Sequence, residues 1–157
     1  MLIRKAKYGD TKQLLNLLSQ VLELHAEIRP DIFIPGTTKY TESELKSIID
    51  NENSPIFVAV NDHDIISGYA FCQLRQQPFS NNMIPFKSLF IDDLCIDSSA
   101  RGQHIGKQLF DYIKAEAKKL GCYEVTLNVW NGNDKAIGFY KAMGMKIKEM
   151  QLEYILN

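Results

Sequence analysis

The sequence predicts an α/β domain built on a mixed sheet, and three observations carry that prediction. Short runs rich in Val, Ile and Phe alternate with stretches whose apolar residues recur at helical spacing. The elements follow in the order β, α, α, β, β, β, α, β, α, β, and the consecutive strand runs in the middle of the chain point to antiparallel pairing there. A chain of 157 residues with 45% hydrophobic and 24% charged content is also large enough to bury one continuous core. We therefore read residues 1–157 as a single domain.

Each element has its own justification. "LIRKAK" alternates apolar and basic residues and reads as the first strand. After Gly9 and Asp10, "TKQLLNLLSQVLELHAEI" sets Leu14, Leu17, Leu18, Val21 and Leu22 on one helical face. Pro30 and Pro35 break that pattern, and "TESE" at Thr41 to Glu44 is a capping box that opens a second helix running to about Asn51. "PIFVAV", the turn "NDHD" and "DIISGYAFCQLRQ" read as a hairpin, and "PFKSLFIDDLCID" as a further strand after the loop "PFSNNMIP". From Gly102, the residues Ile105, Leu109, Tyr112, Ile113, Ala117 and Leu120 mark one face of a helix that Gly121 ends. "CYEVTLNVW" reads as a buried strand. Asn133 is placed to cap a short helix through Tyr140, with Gly144 as terminator, and "KIKEMQLEYIL" reads as the last strand.

Composition narrows the function classes. The formal charge of -1 and the scattered lysines give no bulk attraction to nucleic acid or to anionic lipid. Cys72, Cys95 and Cys122 are odd in number and widely spaced, which suits reduced thiols rather than disulfides or zinc ligation and points to a cytoplasmic location. The spacing of His25 and His63 offers no metal set. The opening "MLIRKAKYGD" lacks the apolar run of a signal peptide, and no stretch has the length of a membrane span, so we expect a protein without a membrane partner.

The stretch "RGQHIGK", Arg101 to Lys107, carries the chemistry. It is not a Walker loop, because only three residues separate Gly102 from Gly106 and Lys107 and because Gln108 stands where a magnesium-binding Ser or Thr belongs. A strand, a short turn and a glycine-bearing helix start nevertheless direct free backbone N–H groups at an anion, for which phosphate is the natural occupant. Arg101 adds positive charge, and Gly102 and Gly106 let the backbone approach closely. The alternative is a glycine-rich turn that serves packing alone.

Read with their flanks, "IDDLCIDSSARGQHIGKQLFDYI" and "LNVWNGNDKAIGFYKAMGMK" resemble the GNAT superfamily of N-acetyltransferases. The family's phosphate motif, Arg or Gln, two residues, Gly, one residue, then Gly or Ala, maps onto Arg101, His104 and Gly106. Its second motif, Asn-x-x-Ala-x-x-Phe-Tyr before a glycine-containing turn, is matched by Asn133, Ala136, Phe139, Tyr140 and Gly144. The likeness extends to the opening strand and the order of elements and is least from about Arg29 to Asn53. It implies a mostly antiparallel sheet flanked by helices, with acetyl-CoA as cosubstrate and no metal. One departure stands out: His104 occupies the place of the first motif glycine, so its local backbone must accommodate a side chain.

The resemblance also assigns roles. Main-chain groups of Leu94, Cys95 and Ile96 would pair with the pantetheine arm, and Arg101, Gly102, Gln103, His104, Ile105, Gly106 and Lys107 would hold the pyrophosphate. Asn133 would hold the same arm, although it equally suits an N-cap. Transfer needs an uncharged amine, and an amine of pKa about 10.4 is neutral only roughly once in a few thousand at pH 7, so some group must accept a proton. Asp92 and Asp93 are adjacent on a strand, and strict alternation turns at most one of them toward the reacting cleft. Likeness to the "Glu-Asp" of spermidine/spermine N-acetyltransferases points to Asp92; Asp93, water and a purely structural role for both aspartates stay open. Asn128 stands where ribosomal-protein N-terminal acetyltransferases carry Glu, and an amide cannot act as the base. Tyr140 resembles the family's proton donor to the departing thiolate, and packing beside Phe139 is its alternative role.

These assignments describe an acetyl-CoA-dependent N-acetyltransferase acting on a primary amine of a small molecule or a peptide. The competing reading is a catalytically silent acetyl-CoA-binding sensor on the same fold. The acceptor has no transferable code in "HAEIRPDIFIPG" or "QQPFSNNMIPF", though Glu27, Asp31 and Asp92 hint at a cation. The resemblance leaves a homodimer open.

Overall fold

The computed structural model of the protein describes residues 1–76 and 80–157, so part of the loop "QQPFSNNMIPF" lies outside the described residues. Five strands, β1 (Leu2–Lys5), β2 (Ile56–Val60), β3 (Ile66–Gln76), β4 (Lys87–Ile96) and β5 (Glu124–Leu127), form one sheet in chain order. Neighbours pair antiparallel from β1 to β4, and β5 joins β4 in parallel. Helices α1 (Thr11–Ile28) and α2 (Glu42–Asp50) cover one face. Helix α3 (Ile105–Lys119) covers the other, where α4 (Asp134–Ala142) packs against its start.

This layering explains the continuous apolar run of β2. Ile56, Val58 and Val60 pack with Leu14, Leu17, Leu18 and Leu45 from the first two helices, while Phe57 packs with Leu109 and Ile113 of α3. A strand covered on both faces needs no polar alternation. The link from β1 to α1 is ionic: Arg4 donates to both carboxylate oxygens of Asp10, at 2.7 and 3.1 Å, and Asp10 is only 1% exposed. Such a pair is costly to break, because removal of one partner leaves a buried charge.

The helix ends follow their local chemistry. Thr41 and Glu44 form the reciprocal capping box that opens α2. Gly121 and Gly144 take positive φ after α3 and α4, and each is followed by paired bonds back into the last turn: Cys122 N–H to the Ala117 carbonyl, and Met145 N–H to the Tyr140 carbonyl.

Two features depart from the expected pattern, and both involve strand edges. Residues 146–156, expected as the last strand, carry no strand pairing, and among the described residues their backbone has no hydrogen-bonded neighbour. Alternating sequence favours a strand only where an edge receives it, and among the described residues none does. Strand β5 is also short. It pairs with β4 only from Ser88 to Ile91, so β4 continues from Asp92 to Ile96 with β3 on one side and, among the described residues, no strand on the other. This half-paired edge of β4, from Asp92 to Ile96, is the wedge on which the candidate site is built.

Candidate active site

The wedge leads to the turn predicted to hold an anion. Beyond Ile96, Asp97 caps a single 3-10 turn, Ser98–Ala100, by accepting from the Ser99 N–H at 2.9 Å, and Arg101 to His104 carry the chain into α3. Among the described residues, the amides of Ile105, Gly106 and Lys107 have no internal acceptor, as expected for a first helical turn. Arg101 is exposed and forms no ion pair among the described residues, whereas Lys107 is paired with Asp111 at 2.6 Å. Three of the residues explain their types locally. Gly102 has φ of 82° in open space. His104 caps α3 at φ 58°, the left-handed region that favours glycine. Gly106 is tight for a different reason than anion approach: a Cβ there would stand 3.1 Å from the Phe139 ring, so this glycine brings α3 and α4 together.

The two aspartates sit where β4 leaves β5. Phe71 opposes Asp93 and Cys72 opposes Ile91, which makes Asp92 the extra residue of a β-bulge. The bulge breaks the alternation expected of adjacent strand residues, and both carboxylates come under the influence of one lysine. Asp92 accepts from Lys39 Nζ at 2.7 Å, and Asp93 lies near enough for its charge to act on the same ammonium. Tyr69, fully buried, donates to Asp93 Oδ2 at 2.9 Å. Burial pushes the Asp93 carboxyl up to about 6, against the opposing effects of the Tyr69 hydrogen bond and Lys39.

Tyr140 approaches from α4. Burial raises its phenol, and the neighbouring Asp93 and Cys95 raise it further, so the hydroxyl keeps its proton at neutral pH. The Cys95 thiol is raised to about 12, first by burial and then by Asp93, which leaves it protonated and inert as a nucleophile. Asn133 caps α4 through its side-chain oxygen, which accepts from the Ala136 N–H at 3.4 Å. Leu94 and Ile96 are partly buried along the open edge of β4, with Cys95 between them.

A second cluster gathers the end of α1 and the segment after it. His25 makes a tilted contact with Phe33 and Phe33 an edge-to-face contact with Trp130, with ring centroids 5.2 and 5.5 Å apart, and Ile28 lies 3.3 Å from where a Cβ of Gly132 would stand. Arg29 lies over the Trp130 ring and pairs with Asp31 at 2.8 Å, so Asp31 is neutralised locally rather than free to receive a cation. Sequence reasoning did not single out Lys39 and Tyr69. Tyr69 reads as an ordinary strand aromatic, and Lys39 lies 53 residues from its carboxylate, with no periodic pattern to join them.

Among the described residues, no group of three or more His, Cys, Asp and Glu side chains is placed to hold a metal ion, and no helix is long and apolar enough to cross a membrane. The profile of the acetyltransferase (GNAT) family matches residues 18–145. Thialysine N-epsilon-acetyltransferase from Bos taurus is 24% identical over 154 residues, which span 92% of this chain and 83% of that protein. Peptidyl-lysine N-acetyltransferase YjaB from Salmonella typhimurium is 32% identical over 107 residues, 67% of this chain and 61% of the relative. Among solved structures, a point mutant of the BH1408 protein from Bacillus halodurans superposes with a TM-score of 0.95 at 31% identity, with full coverage of both chains.

Proposed function

The chain belongs to the acetyltransferase (GNAT) family, whose members use acetyl-CoA, and from that premise we propose that its wedge binds acetyl-CoA and passes the acetyl group directly to a primary amine. The observation that carries this reading is the half-paired stretch of β4, Asp92 to Ile96, which joins two carboxylates at one end to the open amides of α3 at the other. Backbone groups of Leu94, Cys95 and Ile96 would pair with the pantetheine arm along that edge. The segment Arg101, Gly102, Gln103, His104, Ile105, Gly106 and Lys107 would take the pyrophosphate, with Arg101 as the free cation. Asn133 keeps its capping bond and presents its remaining donors to the same arm.

In this reading Asp92, once Lys39 leaves its carboxylate, removes a proton from the incoming ammonium, and the freed nitrogen attacks the thioester carbonyl. The carbon–nitrogen bond forms, the carbon–sulfur bond breaks, and Tyr140 donates its proton to the departing thiolate. A second reading gives the base role to Asp93, favoured by its carboxyl near 6, which lies closer to working pH than an ordinary carboxylate. The acceptor would be a small-molecule amine or a lysine side chain, in line with the named substrates of the two relatives.

Thiol release from acetyl-CoA in the presence of an amine panel tests the enzyme against a silent acetyl-CoA sensor, which would bind the cosubstrate and release no thiol. With the best amine, Asp92→Asn is expected to lower turnover by roughly 10²-fold at pH 7, with partial recovery at high pH, and Tyr140→Phe to lower it by a similar factor without weakening cosubstrate binding. Normal turnover in Asp92→Asn together with loss in Asp93→Asn would transfer the role to Asp93.

A further inference from the structure

A lysine of the chain itself stands where the transfer reaction needs an amine. If Asp92 takes the proton of the acceptor, the acceptor nitrogen must come within a hydrogen bond of its carboxylate. Lys39 Nζ is already there, 2.7 Å from Asp92 Oδ2. The lysine reaches the wedge from a segment outside any helix or strand, between Gly36 and the cap of α2. Asp92 and Asp93 of β4 face it, with Tyr40 beside it and His25 of α1 close by. Its side chain is 46% exposed and that of Asp92 24% exposed, so the pair is open to solvent and contributes little to folding. A pair of this kind, joining residues 53 apart beside the half-paired edge of β4, has a chemical use that a surface ion pair lacks.

We propose that Lys39 is an internal acceptor, acetylated on Nζ by acetyl-CoA bound in the wedge of the same chain; the inference rests on the transfer reading above. The ammonium gives one proton to Asp92, which passes it to solvent. The nitrogen lone pair forms the bond to the acetyl carbon as the carbon–sulfur bond breaks. The thiolate takes its proton from Tyr140, which is restored by the second proton leaving the nitrogen. The products are a neutral acetyl-lysine and CoA thiol. The amide no longer pairs with Asp92, so the carboxylate becomes free for an external ammonium, and self-acetylation turns a self-occupied site into an open one.

The test is peptide mass spectrometry of the purified full chain after incubation with acetyl-CoA carrying a deuterated acetyl group. The expected result is one label on Lys39, arriving at least tenfold faster than label on the exposed Lys114 and Lys148. Its first-order rate should not change on dilution of the protein, and Tyr140→Phe should slow it while leaving the two control lysines unaffected. Lys39→Arg should carry no fast label anywhere. Label on Lys39 no faster than on the controls, in a protein that acetylates an amine of the panel, would overturn the proposal. A rate proportional to protein concentration would overturn the internal route and show transfer between copies. Absence of acetyl-CoA binding by calorimetry would instead remove the transfer reading itself, and this inference with it.

Discussion

His104 adopts φ 58° with a full side chain, a conformation that costs a residue other than glycine or asparagine about 1–2 kcal/mol. Replacement by glycine is therefore expected to stabilise the fold by about 1 kcal/mol in urea denaturation, after the entropy of a freer unfolded chain is subtracted. An unchanged or lower midpoint would show that the imidazole repays its strain. Asp93 gives a second test at this scale, because its carboxyl is raised to about 6 by burial. A raised folded-state value means that the native chain binds the proton more tightly than the unfolded chain. The stabilisation is complete below the ordinary carboxylate value of about 3.9 and is lost as pH climbs through about 6. Relative to Asp93→Asn, the parent should lose about 2 kcal/mol of stability between pH 4 and 7, measured by urea denaturation at each pH, and a flat difference would mean that the carboxyl titrates normally. The sequence made the departure at His104 visible, since a motif supplied the expected glycine. It could not reveal the partners of the aspartates, because the contacts of Tyr69 and Lys39 arise from sheet register and loop path.

At the scale of elements, local chemistry was the most legible part of the chain. The span of α1, the capping box of α2 and the terminating glycines of α3 and α4 all follow from side chains within a few residues of the boundary they set. Pairing was less legible. A bulge at Asp92 depends on how β3 and β4 slide past one another, and β5 ends shortly before Trp130 meets Phe33 and Gly132 meets Ile28 of α1. The junction of α3 and α4 is an instance with a measurable outcome. Gly106→Val drives methyl groups into the Phe139 ring, already 3.1 Å from the Cβ position, and overpacking of this kind costs about 1–3 kcal/mol. The expected result is a lower unfolding temperature together with slower transfer, since Tyr140 adjoins the displaced ring. A variant of parent stability would show that α4 moves away freely.

At the scale of the whole molecule, the segment 146–157 is the conspicuous anomaly. Met150, Leu152, Tyr154 and Leu156 alternate along the sequence, as one face of a strand would, and are 74%, 84%, 88% and 86% exposed. Only side chains tie this arm to the body among the described residues: Lys148 pairs with Glu124 at 2.8 Å, and Glu153 with Arg29 at 2.6 Å. We propose a second copy of the chain as the occupant of these edges. Paired antiparallel about a twofold axis, the lysine-bearing half of one arm meets the glutamate-bearing half of the other, and two unpaired edges are consumed at once. We expect a dimer in light scattering at micromolar concentration, and a monomer for the double variant Leu152→Asp, Tyr154→Asp. A monomeric parent protein would mean that the arm remains solvated. Here too the sequence displayed the strand pattern of "KIKEMQLEYIL" but not its partner, because alternation specifies a face and says nothing about which chain supplies the neighbouring edge.

The half-paired β4 has a thermodynamic consequence. A ten-residue strand that is bonded on both sides for its first part and on one side for the remainder belongs to two regimes of local opening within one continuous backbone. Any ligand that lies along the bare edge supplies the missing ladder, so its binding free energy and the resistance of the sheet to opening are one quantity. In the proposed binding mode the cosubstrate would therefore also be a transient strand of the fold, and each turnover would remove and restore part of the molecule's own stability.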